Sequence, residues 1–233
     1  GADDTNGEIA VDSASDLTIA SPILNNGTGI VSLSKVGVGK LILAEANDLT
    51  GGITLNAGEL DINNPLAMGL NGTFTVNGGA IDNTSGAEIS IGDTIPQAWN
   101  ADINFPGTDN LLFGPGLVTL GANRIVNVAN NTLGVGGTIS GAYALTKTGA
   151  GAFIVATKGW TGLTTVTGGT LEVKAKAVGT ADAPYVVGSG ATLKIGYNTD
   201  GSYANTNLKI TGDGTAATTG LYLKDTASYN TSA

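Results

Sequence analysis

The sequence predicts an all-β fold, and within that class a parallel β-solenoid, on three observations. Glycine is in marked excess, with 37 in 233 residues, against about 16 for an average composition at ~7%. Apolar residues make up 41% of the chain, and they come in short bursts with period-two alternation. One long unit occurs twice, with similar strands recurring within each copy.

The composition justifies the first step. Charged residues are 12% of the chain, about half of the usual ~25%. Threonine and valine suit strands, and glycine and asparagine suit the turns between them. The glycines follow no Gly-X-Y period, which excludes collagen.

The bursts give the strands. Leu41 and Leu43 are expected to point inward, as are Ile53 and Leu55, Leu60 and Ile62, and Phe74 and Val76. Each burst ends at a Gly- or Asn-containing turn. Leu60-Asp61-Ile62 and Ala80-Ile81-Asp82 are separated by one coil, as are Leu171-Glu172-Val173 and Leu193-Lys194-Ile195. A solenoid stacks such strands directly over one another. Coils of about 20–22 residues would give roughly eleven turns and a rod of about 50 Å at the spacing of paired strands. Residues 1–233 are read as a single solenoid domain, with related units at about 33–82 and 145–195. The alternative is an antiparallel β-sandwich, with Asn71-Gly72 and Asn77-Gly78 as hairpin turns.

The repeat carries a family resemblance. Residues 33–43 read LSKVGVGKLIL and residues 145–155 read LTKTGAGAFIV; Lys35, Gly37 and Gly39 fall on Lys147, Gly149 and Gly151. Residues 50–62, TGGITLNAGELDI, lie over 161–173, TGLTTVTGGTLEV. This pattern resembles the passenger-associated repeat of autotransporter proteins. The resemblance implies a right-handed parallel β-helix displayed at, or released from, the bacterial surface. It further implies a scaffold, adhesin or self-associating fibre component. A translocator barrel of the autotransporter type is not visible here, so a fragment or another export route is expected. The start at Gly1-Ala2-Asp3-Asp4 is read as trimmed.

The same residues limit the chemistry. Net charge is -9, which disfavours nucleic acid, since phosphate binding needs clustered Lys and Arg. No transmembrane segment is expected, for want of an apolar run of about 20 residues. The chain has no Cys and no His, which removes thiolate metal sites, disulfides and any Ser-His-Asp triad. An enzyme is therefore not expected.

Some residues still deserve weighing. Asp61 and Asp82 would stack as outward like charges, with no Lys or Arg foreseen beside them. They are the weak candidates for a polysaccharide-cleaving carboxylate pair, as in a glycoside hydrolase or lyase. Trp99 and Trp160 are weak candidates for stacking on sugar rings in a glycan-binding module. No cofactor is required, but oxygen-rich, Gly-turned stretches make Asp4, Asn6, Asn198 and Asp200 weak Ca²⁺ candidates. Glu172 and Lys194 would lie on adjacent coils as a surface pair. The partners expected are a second copy of the chain, or a host or surface glycan or protein.

Overall fold

The computed structural model describes residues 5–12, 15–25, 27–177, 185–196, 210–212 and 220–224. Every element among them is a strand. In chain order these are β1 (Thr5–Ala10), β2 (Leu17–Ile19), β3 (Val31–Val36), β4 (Lys40–Leu43), β5 (Ile53–Leu55), β6 (Glu59–Ile62), β7 (Phe74–Val76) and β8 (Ala80–Asp82). Then follow β9 (Ile89–Ser90), β10 (Gln97–Trp99), β11 (Ile103–Phe105), β12 (Leu111–Phe113), β13 (Val118–Leu120), β14 (Arg124–Val128), β15 (Thr132–Gly141) and β16 (Leu145–Thr148). The series closes with β17 (Ala152–Trp160), β18 (Thr164–Val166), β19 (Thr170–Lys176), β20 (Tyr185–Val187), β21 (Thr192–Gly196), β22 (Ile210–Gly212) and β23 (Gly220–Lys224).

The strands alternate between two parallel sheets as the chain climbs. One runs β2-β4-β6-β8-β11-β14-β16-β18-β20-β22; the other runs β1-β3-β5-β7-β10-β13-β15-β17-β19-β21-β23, with β9 and β12 joined to it through β15. The pairs are parallel along both ladders, so the fold is a β-solenoid and the antiparallel sandwich is ruled out. Ten strands stack in the first sheet among the described residues, so the coil count falls slightly short of eleven. Coil length varies along the chain, from 18 residues between Ala152 and Thr170 to 28 between Thr192 and Gly220.

Alternation sets the core. Leu41, Leu43, Ile53, Leu55, Leu60, Ile62, Phe74 and Val76 are all buried, as their parity predicts. The stacked pairs also hold: Leu60 sits over Ile81 and Asp61 over Asp82, and Leu171 over Leu193. Glu172 is the register partner of Lys194, although the two side chains do not close to an ion pair. Burial of such columns is the main favourable term in a solenoid, each coil covering its neighbour.

The two repeat copies do not occupy the same side of the rod. A core column starts at Leu33 and passes through Ile53, Phe74, Gln97 and Val118 to Ile139. Leu145, the counterpart of Leu33, belongs to the other sheet. The copies are therefore separated by five coils plus one side, and the second is rotated by one side about the axis.

Candidate functional site

The motif lysine is the first residue to place. Lys35 follows Leu33 at the same strand parity, so its side chain enters the interior; Lys147 follows Leu145 in the same way. Both are fully buried. The Lys35 ammonium donates to the carbonyls of Val36 (2.7 Å), Gly37 (2.9 Å) and, one coil on, Ala57 (3.1 Å). Lys147 repeats the pattern with Thr148 (2.6 Å), Gly149 (2.9 Å) and Gly168 (3.3 Å). Each lysine thus closes its own turn and ties it to the turn above.

The glycines make room for this. Gly37 and Gly149 sit at positive φ, as do Gly58 and Gly169 in the turns above them. A Cβ on Gly58 would strike the carbonyls of Gly37 and Gly39 and the Lys35 ammonium. Burial lowers the pKa of both lysines; the charge of Asp12 partly opposes this for Lys35, and Lys147 falls to about 8. Sequence reasoning treated these lysines as motif markers only. Their parity with Leu33 and Leu145 was the signal that places them inside.

Asp61 and Asp82 come together, but not as an open pair. They are register partners, and at 0% and 1% exposure they are closed to solvent. Their outward parity is as expected, yet segments from the following coils roof them. Thr84 donates its hydroxyl to Asp61 Oδ2 at 2.7 Å, and Lys40 reaches the same oxygen at 3.2 Å. Lys40 also contacts Glu59 at 2.6 Å, so a cation does stand beside the pair. Asp82 receives the backbone N–H groups of Gly107 (3.1 Å) and Thr108 (3.0 Å) and the Thr108 hydroxyl (2.7 Å). It anchors the turn after β11.

The local electrostatics follow from burial. Asp61 is pushed up to about 6, chiefly by loss of water; Glu59 adds to the rise, while the Thr84 hydroxyl and the Lys40 charge oppose it. Its Oδ1 has no hydrogen-bond partner. Burial alone would lower Lys40, but Glu59 and Asp61 hold it above its ordinary range.

The tryptophans are interior as well. Trp99 and Trp160 are 1% and 0% exposed, so neither offers a ring face to a sugar. The Trp99 indole N–H donates to Gln97 Oε1 (3.0 Å), and that of Trp160 to Thr164 Oγ1 (2.8 Å). The Lys158 ammonium lies 4.9 Å from the Trp160 ring centroid, a buried cation–π contact. Both tryptophans fall at the inward parity of their strands, beside Gln97 and Lys158. Of the calcium candidates, Asp4, Asn198 and Asp200 lie outside the described residues, and Asn6 is a backbone position on β1. Among the described residues no cluster of three or more Asp, Glu, His or Cys could hold a metal ion.

One surface feature is uncharged and periodic. Asn56 donates to Ser34 Oγ (3.0 Å), Asn77 to Asn56 Oδ1 (2.9 Å) and Asn100 to Asn77 Oδ1 (3.0 Å). This amide ladder starts at Ser34 within β3 and runs along the corner that follows β5, β7 and β10. Arg124 closes its end, donating to the carbonyls of Trp99 and Asn100.

Comparisons with known proteins agree with this geometry. Residues 33–62 and 145–173 match the passenger-associated-transport-repeat family. Over 125 residues, 53% of this chain, the sequence is 30% identical to the adhesin BmaC autotransporter of Brucella suis biovar 1 (strain 1330). The match spans 3% of that much longer relative. No solved structure matches the chain. The two matched segments coincide with the two lysine-closed turn pairs, and on this ground the chain is a β-solenoid with two segments that match the passenger-associated-transport-repeat family.

Proposed function

We propose that this solenoid is an adhesive, non-catalytic segment of a bacterial surface protein, contacting host or surface molecules and further copies of itself. One observation carries the reading. The two carboxylates weighed for catalysis and the two motif lysines are held in buried contacts, while one edge of the solenoid carries a repetitive amide ladder. Asp61 and Asp82 are roofed, and Lys35 and Lys147 are spent on carbonyls. The matched adhesin supports the same reading.

Beads coated with the purified chain at defined density test it. They should adhere to cultured host cells or to a surface coated with the same chain, above uncoated beads. Binding to neither surface would overturn the proposal. The polysaccharide-cleaving alternative loses its support with the burial of Asp61 and Asp82. Reducing-sugar release that vanished in both Asp61→Asn and Asp82→Asn would restore it.

A further inference from the structure

We infer that the outer face of β12, β15, β17 and β19 carries a binding site for a medium-chain fatty carboxylate. The alkyl chain lies in an apolar cleft over Gly134 and Gly136, and the head group pairs with Lys174.

Register and glycine make the cleft. Leu112, Gly134, Ile154 and Glu172 are successive partners on these four strands, each flanked by inward residues and therefore facing out. Gly134 leaves a gap in that rank between Leu112 and Ile154. Two residues further along, Gly136 and Ala156 keep the next rank low, and Lys174 stands beyond them. The hollow these residues enclose measures about 250 Å³. Gly134 is buried although it has no side chain, because Leu112 leans across it; a Cβ there would lie 2.6 Å from Leu112 Cδ2.

The shape and the charge select the ligand. The walls are aliphatic: Leu112 on one side, Ile154 and Ala156 on the other. The floor is backbone whose hydrogen bonds are committed to the sheet on both sides, so it offers a ligand no strong polar contact. Ligand pockets commonly hold about 300–1,000 Å³, and a hollow slightly below that range suits a slim chain. Lys174 is exposed and is the charged side chain that lines the cleft. Glu172 and its register partner Lys194 are the neighbouring charges on this face. Two lysines against one glutamate make the spot locally positive on a chain whose net charge is -9. An apolar body with one anionic head complements both features.

Titration calorimetry with octanoate, below the concentration at which it forms micelles, tests the assignment. The parent should bind it saturably, with one site per chain. Hexanoate, two methylenes shorter, should bind about tenfold more weakly, since each buried methylene is worth roughly a factor of four. Uncharged 1-octanol should bind about fivefold more weakly than octanoate, the upper range for an exposed ion pair. Lys174→Gln should bring octanoate down to the octanol value and leave octanol unchanged, while Lys174→Arg retains octanoate. Ala156→Leu, which fills the cleft, should abolish binding of both. Ile125→Ala, which trims an exposed apolar side chain on the other sheet, should change neither.

A parent that shows no saturable octanoate binding overturns the site. So does an Ala156→Leu variant that binds like the parent, or an Ile125→Ala variant that loses binding. Octanol binding as tight as octanoate, or a Lys174→Gln variant indistinguishable from the parent, overturns the head-group pairing. Lys174 is exposed, so its variants test the proposal even if Ala156→Leu fails to fold.

Discussion

At the scale of single residues, the buried lysines and Asp61 set the chemistry of the fold. Lys147→Met removes a donor shared by three carbonyls. It should destabilise the chain by about 2 kcal/mol, the cost of leaving buried acceptors unmade. The effect depends on pH. With its folded pKa lowered to about 8, the parent bears the cost of a buried charge below pH 8. That cost is relieved as pH rises from 8 toward the ordinary value of 10.5. Urea melts at pH 7 and pH 9.5 should therefore show a larger loss in the variant at the higher pH. Asp61 works in the opposite direction. Its pKa is raised from 3.8 to about 6, so its contribution is greatest below pH 4 and is lost as pH rises through 6. Asp61→Asn should abolish that component, and its stability relative to the parent should climb between pH 4 and pH 6 in urea titrations. The inward parity of Lys35 and Lys147 was legible in the sequence. The roof over Asp61 was not, because Thr84 arrives from the next coil and no local pattern encodes that contact.

At the scale of the element, the turns matter most. Gly58 combines a φ of +72° with carbonyls on the side where a Cβ would sit. Gly86 has a φ of +85° and open space around it. Gly86→Ala should cost about 1 kcal/mol for its backbone conformation, whereas Gly58→Ala should cost at least twice as much, since the lysine-closed turn must also move. Thermal melts of the two variants compare them directly. The strands themselves were readable. Leu41, Leu43, Leu60 and Ile62 alternate cleanly, and period two forces one face inward. Their parallel stacking was readable from the recurrence of Leu60-Asp61-Ile62 at Ala80-Ile81-Asp82. The tryptophans were harder. A large aromatic such as Trp99 has one reading on a surface and another in a core, and only its partner Gln97 decides between them.

At the scale of the whole molecule, each coil rests chiefly on its two neighbours, so stability propagates along one dimension. Damage at one end should be felt unequally at a distance. Trp99 and Trp160 are both buried and report different stretches of the rod. With Gly58→Ala introduced into single-tryptophan versions of the chain (Trp160→Phe or Trp99→Phe), the Trp99 fluorescence midpoint in urea should fall further than that of Trp160. Coincident midpoints would show one cooperative unit instead. The amide ladder could not be read from sequence. It depends on coil offsets of 21 residues from Asn56 to Asn77 and 23 from Asn77 to Asn100, and an uneven offset hides a column that the register aligns.

The one-side rotation between the two repeats bears on how the surface is seen from outside. Sequence kinship makes the Gly37–Gly39 and Gly149–Gly151 turns near twins, yet they look outward along different compass bearings of the rod. An antibody raised against one turn could recognise the other, but a rod lying flat against a membrane or a mucosal layer would offer the two to different quarters. Duplication here multiplied a building block without doubling the view that any single onlooker receives.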